Sequence, residues 1–357
     1  MDRRTDLLHL GNFTYFSFFS DLHRSDHVAT TVVETLVIST VFLVSVAANT
    51  GAAALVTWER KLLGNKTFLT LNLFVADLLF VSMIPLIVAV RWTVSWTLGH
   101  TACHILLYVI CMSGCVTITT LASISVERVQ AILQLQTAPA LNPKTVTATL
   151  LFIWVFSAIT ALPLSLFFTV IEELLYICTL KWPDTTGEIV WNVAFATLSF
   201  LLPALIIVVS YSKILQKSNP DTSHHLCDGF ISIYFNIAKT CRRRLQNRAG
   251  QPPSGDAVDY QVSRQDMKLL RTLLVLVLSF LIMWSPIFII TFLILARNFL
   301  GHLYVSSTMF FWVVTFTLAN SALNPILYSV CLVKNCWPKL CCASAVVPLR
   351  KDQGVHP

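Results

Sequence analysis

Asn320-Ser321-Ala322-Leu323-Asn324-Pro325-Ile326-Leu327-Tyr328 sits in the middle of a stretch, Leu303 to Val333, that carries no charged residue. Asparagine amides, and a proline that deletes one helix hydrogen bond, survive inside a bilayer only where neighbouring helices or internal water re-satisfy the polar groups. The stretch therefore reads as a membrane-spanning helix that faces a polar protein interior. The sequence offers Asp77 as its partner. Asp77 is the only acidic or basic residue well inside any of seven apolar windows, and a carboxylate at membrane depth is by default a candidate functional group.

The composition, 55% hydrophobic and 12% charged, falls well short of the roughly 25% charge of soluble domains. The windows are Thr35 to Thr57, Phe68 to Val90, Cys103 to Val126, Val146 to Val170, Ile189 to Ser212, Thr272 to Ala296 and Leu303 to Val333, with Asp77 the one interruption. Each is long enough to span, since roughly 20 apolar residues suffice. The expected fold is an all-α membrane protein, a seven-helix bundle followed by a short amphipathic segment. Connections on the N-terminal side hold six of the 25 Lys and Arg residues and the alternate set holds nineteen. The positive-inside rule then puts the N-terminus outside and the tail in the cytosol. Residues 1–31 read as an extracellular N-terminus, 32–330 as the seven-helix domain with a cytosolic loop at 213–265, and 331–357 as amphipathic segment and tail. The start, Met1-Asp2-Arg3-Arg4, lacks an early apolar core, so no cleavable signal peptide is expected.

That topology sorts the cysteines and sequons. Cys103 and Cys178 are the only two of the ten cysteines on the oxidising side, which predicts a disulfide between them. Cys111 and Cys115 read as packing residues. Cys341 and Cys342 follow Lys334, Trp337 and Lys339 on the inner leaflet and read either as palmitoylation sites or as plain reduced thiols. The sequon at Asn12 lies outside, where glycosylation is expected; that at Asn65 lies inside. The loop from Lys213 to Arg271 carries ten basic residues and is expected to be mobile, and the apolar run from Cys227 to Ile237 within it receives no function.

An external N-terminus, LNLFVAD ending at Asp77, Glu127-Arg128-Val129 closing the third helix, Trp154, Pro203, FLIMWSP ending at Pro286 and NPILY ending at Tyr328 occur one per helix and in order. Together they resemble the rhodopsin-class G-protein-coupled receptors, over nearly the whole chain. FFSD at Phe18, IPLIVAVRWT at Ile84, ICTLKWP at Ile177 and SYSKILQ at Ser210 further resemble the long-chain fatty-acid receptors of that class. The resemblance implies a multi-pass plasma-membrane receptor that does no chemistry, with a heterotrimeric G protein and arrestin as partners. Only Ser329 and Ser344 are available for phosphorylation after Tyr328, a departure that leaves arrestin recruitment open.

The same resemblance assigns roles. Asp77, Thr117, Asn320, Ser321 and Asn324 would surround a sodium ion, for which carboxylate, hydroxyl and amide oxygens are suitable ligands; a protonated Asp77 bonded to Asn324 is the alternative. Arg128 would pair with Glu127 and Asp266 at rest and meet the G protein when freed. Trp284, two residues before Pro286, would be the toggle, relayed through Phe280, Ile118 and Pro203, with Asn324, Pro325 and Tyr328 as further switch residues.

For the ligand, Ile110 stands where amine receptors carry an acid and Leu318 where opsins carry a lysine, so a cationic amine is disfavoured and a retinal Schiff base excluded. What remains is an aromatic outer interior: Phe80, Trp92, Trp96, Trp182, Trp191, Phe195, Trp284, Phe288, Phe310 and Phe311. It suits an acyl chain, at about 0.8 kcal/mol per buried methylene. Arg91 is the guanidinium nearest to it and reads either as the carboxylate anchor or as an arginine snorkelling to the interface, with Lys181 as a weaker anchor. Leu107, Cys111, Ser199, Thr291 and Leu318 depart from the fatty-acid receptors and leave chain-length preference open. A receptor for another lipid mediator or a peptide is the runner-up. A seven-helix transporter fits less well, because one Asp77 is a poor relay and no inverted repeat is visible.

Overall fold

The computed structural model describes residues 7–10, 13–20, 27–58, 67–133, 142–172, 175–218, 264–297 and 305–327. Within them lie seven helices long and apolar enough to cross a membrane. They are α1, His27–Trp58; α2, in two pieces, Thr67–Val81 and Ile84–Thr93; α3, Gly99–Leu133; and α4, Pro143–Phe167. They continue with α5, Thr185–Ala196 and Leu202–Ser218 joined by a π turn at Thr197–Leu201; α6, Arg264–Arg297; and α7, Ser307–Leu318, which resumes after Ala319 to Leu327.

Local chemistry sets the ends and breaks. Asn142 caps α4 by accepting the Lys144 N–H with Pro143 at the first turn, and Ser306 caps α7 by accepting from Met309. Pro85 lies at the start of the second piece of α2, where its missing N–H and its ring explain the interruption at Ser82 and Met83. Pro203 does the same in α5: the Leu202 N–H reaches back five residues to the Thr197 carbonyl, widening that turn into a π turn.

Sixty-seven per cent of the α3 span is buried, against 22% for α1 and α4, so α3 is the axis of the bundle and those two helices its rim. The large side chains that remain exposed, such as Leu36, Leu43, Phe152, Ile159 and Leu205, lie on spans and present an apolar face for lipid.

Two antiparallel hairpins stand at the disulfide end. β1 (Leu7–Leu10) pairs with β2 (Phe13–Phe16), and β3 (Phe168–Glu172) pairs with β4 (Tyr176–Leu180). The second fills the connection between α4 and α5. Glu172 accepts a hydrogen bond from the Tyr176 phenol and thereby raises its pKa. The expected disulfide is present: Cys103 at the start of α3 binds Cys178 of β4, with Cα atoms 5.7 Å apart.

One boundary needs correction. α1 begins at His27, well ahead of the charge-free window at Thr35, and the added turns bring Glu34 into the span. Asp77 is therefore not the lone ionisable group in the bundle: Glu34 and Arg91 are both buried there, at 0% and 3% exposure.

Candidate functional site: aromatic clusters and a buried polar cluster

Midway down the bundle Asp77 is 2% exposed. Asn324 Nδ2 donates to its Oδ2 at 2.8 Å, and the Thr117 hydroxyl is a second partner. Asn320 is buried with its Oδ1 unpartnered, so an oxygen remains available for a cation and the donor set fits one. Ser321 is engaged elsewhere. Its hydroxyl meets Ser45 Oγ at 2.8 Å and bonds the Leu318 carbonyl, while Asn49 Nδ2 donates to its carbonyl, which ties α7 to α1. Pro325 is buried one residue beyond Asn324.

Above this cluster Trp284 is stacked between two rings, with Phe80 of α2 at 5.3 Å and Phe280 of α6 at 5.0 Å between centroids. Ile118 of α3 and Pro203 of α5 are both buried. A second aromatic series runs from the β3–β4 hairpin down α5 to α6. Phe167 meets Trp182 at 4.2 Å, Trp182 meets Trp191 at 5.6 Å, Trp191 stacks on Phe195 at 5.1 Å, and Phe195 reaches Phe288 at 6.1 Å.

The mouth of the bundle is filled from the N-terminal side. Residues Phe16 to Ser20 are all buried; the Phe310 ring of α7 takes Phe16, Phe18 and Phe19 at 6.1, 5.1 and 5.3 Å. The Thr179 hydroxyl of β4 donates to the Phe16 carbonyl at 2.9 Å. Phe18, Phe19, Trp96, Leu106, Leu107 and Phe168 among others line a cleft there that is too narrow to hold a water molecule. Trp96 is fixed there, with Nε1 donating to the Gly99 carbonyl at 2.8 Å.

Arg91 is at the same end, and its setting corrects the sequence reading. It is neither a lone guanidinium nor a snorkelling one. Nε and Nη2 donate to the two oxygens of Glu34 at 2.9 and 3.0 Å, Nη1 donates to the Phe19 carbonyl at 2.9 Å, and the guanidinium lies 5.1 Å from the Phe311 centroid. One side chain thus binds α1, α7 and the N-terminal segment to α2. A bidentate carboxylate with additional hydrogen bonds and a ring face is what a buried guanidinium requires. Trp92, expected with the pocket, is 48% exposed and donates Nε1–H to Thr35 Oγ1 at 2.9 Å; it braces α2 on α1.

A family model described as the 7 transmembrane receptor (rhodopsin family) matches residues 48–328. The chain belongs to that family. Among rhodopsin-family receptors, it is 46% identical to the free fatty acid receptor 4 of mouse over 339 residues, 93% of this chain and 87% of the mouse one. The rat free fatty acid receptor 4 is 45% identical over the same shares, and rat somatostatin receptor type 5 is 29% identical over 72% of this chain and 63% of its own. These relatives are receptors, not enzymes, and membership of the family implies a ligand and G-protein partners.

Several expectations fall outside the described residues: Asn12, Tyr328, Cys341 and Cys342, and the side chains of Arg128 and Asp266. Glu127 is described and 8% exposed. Two receptor features escaped the sequence reading. Glu34 sits seven residues into α1, and a window extended past the first acid would have included it. The N-terminal insert is signalled by three phenylalanines within four residues, Phe16, Phe18 and Phe19.

Proposed function

We propose that this receptor is activated by long-chain free fatty acids at the plasma membrane, with its N-terminus extracellular, and signals through heterotrimeric G proteins of the Gq type with some Gi. The observation that carries this reading is the identity with mouse free fatty acid receptor 4 across 93% of the chain. The half-buried ring series from Trp182 to Phe288 and the stack around Trp284 support it: they offer ring faces to an acyl chain, each buried methylene contributing about 0.8 kcal/mol.

In this account the ligand carboxylate takes the place of the Phe19 carbonyl on Arg91 as the N-terminal segment gives way. The chain then presses on Trp284, and Pro286 two residues on levers the cytosolic half of α6 outward. Arg128 leaves Glu127 and Asp266 to meet the G protein. Sodium at Asp77, Thr117, Asn320 and Asn324 favours rest, with Ser321 as a neighbour. Arrestin, glycosylation at Asn12 and palmitoylation at Cys341 or Cys342 belong to the same proposal.

A calcium-flux panel on cells expressing this chain tests the reading, with long-chain fatty acids, biogenic amines and peptides as separate arms. Fatty acids alone should give a saturable response. A peptide response with silent fatty acids would put the receptor in another ligand class.

A further inference from the structure

Gly114 lies on α3, deep in the most buried span. Glycine is a poor choice for the interior of a helix, because it sacrifices backbone entropy without contributing a side chain. Its surroundings supply the reason. A Cβ placed on Gly114 would fall 1.8 Å from Cη2 of Trp284, 2.3 Å from Cζ2 and 2.6 Å from Cζ3. Carbon atoms in contact stand roughly 3.5–4.0 Å apart, so the benzo edge of the indole occupies the very place where any other residue would put its first carbon.

The ring has little room to absorb a change. Phe80 lies against it at an interplanar angle of 22°, Phe280 at 15°, and its edge is seated on the α3 backbone. Among the described residues no protein group accepts from its buried Nε1, and the rings and backbone packed against the indole set its position. Interiors packed this closely respond to an added methyl by shifting between discrete arrangements rather than by yielding smoothly.

We propose that Gly114 is the positioning residue for the Trp284 relay: the absent side chain forms the seat that holds the indole at rest, and filling that seat does from the α3 side what an acyl chain does from above. This rests on the reading that Trp284 transmits agonist binding. A methyl at 114 pushes the ring away from α3 and, through Pro286 two residues on, biases α6 toward its signalling position.

The test compares wild type, Gly114→Ala, Trp284→Leu and the double variant at matched surface density, with inositol phosphate measured without agonist and with a saturating long-chain fatty acid. Gly114→Ala should raise basal signalling several-fold and narrow the agonist-driven increment. The double variant should show the basal level of Trp284→Leu alone, because with the ring gone there is nothing to displace. Wild-type or lowered basal signalling in Gly114→Ala would overturn the proposal, and so would an undiminished rise in the Trp284→Leu background, which a general loosening of α3 would produce. If Gly114→Ala does not reach the surface, restoration of surface expression by the added Trp284→Leu supports the seat and failure to restore it refutes it. A full agonist response in Trp284→Leu would instead sink the relay itself, whatever Gly114 does.

Discussion

Two buried carboxylates, Glu34 near the disulfide end of α1 and Asp77 in the middle of α2, face opposite settings. Glu34 meets a guanidinium through both oxygens, whereas Asp77 meets an amide and a hydroxyl, both neutral. The first is an ion pair whose charges cancel and which ties α1 to α2. The second carries a charge demand that its protein partners do not meet, so a cation or a proton completes it. Burial alone does not distinguish a clamp from a switch; the partner does.

The largest expected effect comes from breaking the clamp. Glu34→Ala leaves Arg91 buried without its counter-charge, a loss of about 3–5 kcal/mol for such a pair. Thermal unfolding in detergent should fall sharply and surface expression with it, while Glu34→Leu combined with Arg91→Met should recover most of the loss. A Glu34→Ala protein that unfolds at the wild-type temperature would mean that the pair does not hold α1 to α2.

Asp77→Asn should be milder for stability, since an amide still pairs with Asn324 and the group is neutral, and should act instead on regulation. Raising sodium should lower agonist potency in wild type by up to about tenfold, equivalent to 1.4 kcal/mol, and leave Asp77→Asn unmoved. Persisting sodium sensitivity in that variant would place the cation elsewhere.

The smallest effect concerns the segment that Arg91 holds. Phe19→Leu removes the ring contact to Phe310, worth roughly 0.5–1.5 kcal/mol. Amide hydrogen exchange at Phe16 to Ser20 should accelerate while the melting of the bundle barely shifts. Unchanged exchange there would show that the Phe19 and Phe16 carbonyl hydrogen bonds carry the anchoring without the ring.

The fold was legible because a bilayer imposes length and apolarity on every span. The pairing of Asp77 with Asn324 was legible for the same reason: both polar groups interrupt otherwise apolar windows. Arg91 could be placed near the pocket, but its partner lies 57 positions away in sequence, at the edge of a window defined by having no charge, so the criterion that found α1 also hid Glu34. The β3–β4 hairpin and the inserted Phe16–Ser20 segment escaped because strand pairing and docking at a bundle mouth leave no periodic mark over so few residues. The seat at Gly114 escaped because a missing side chain acquires meaning only from the ring packed against it.

The central claim is that Arg91 recognises the ligand's carboxylate while shared with Glu34, and its most direct test is the affinity of one long-chain fatty acid and its methyl ester for wild type and for a neutral pair, Glu34→Gln with Arg91→Gln. Removing both charges together avoids stranding either one. Wild type should bind the free acid at least about tenfold more tightly than the ester, and the neutral pair, at equal surface expression, should bind the two alike. An undiminished preference for the acid in the neutral pair would contradict the account and move the carboxylate site away from Arg91.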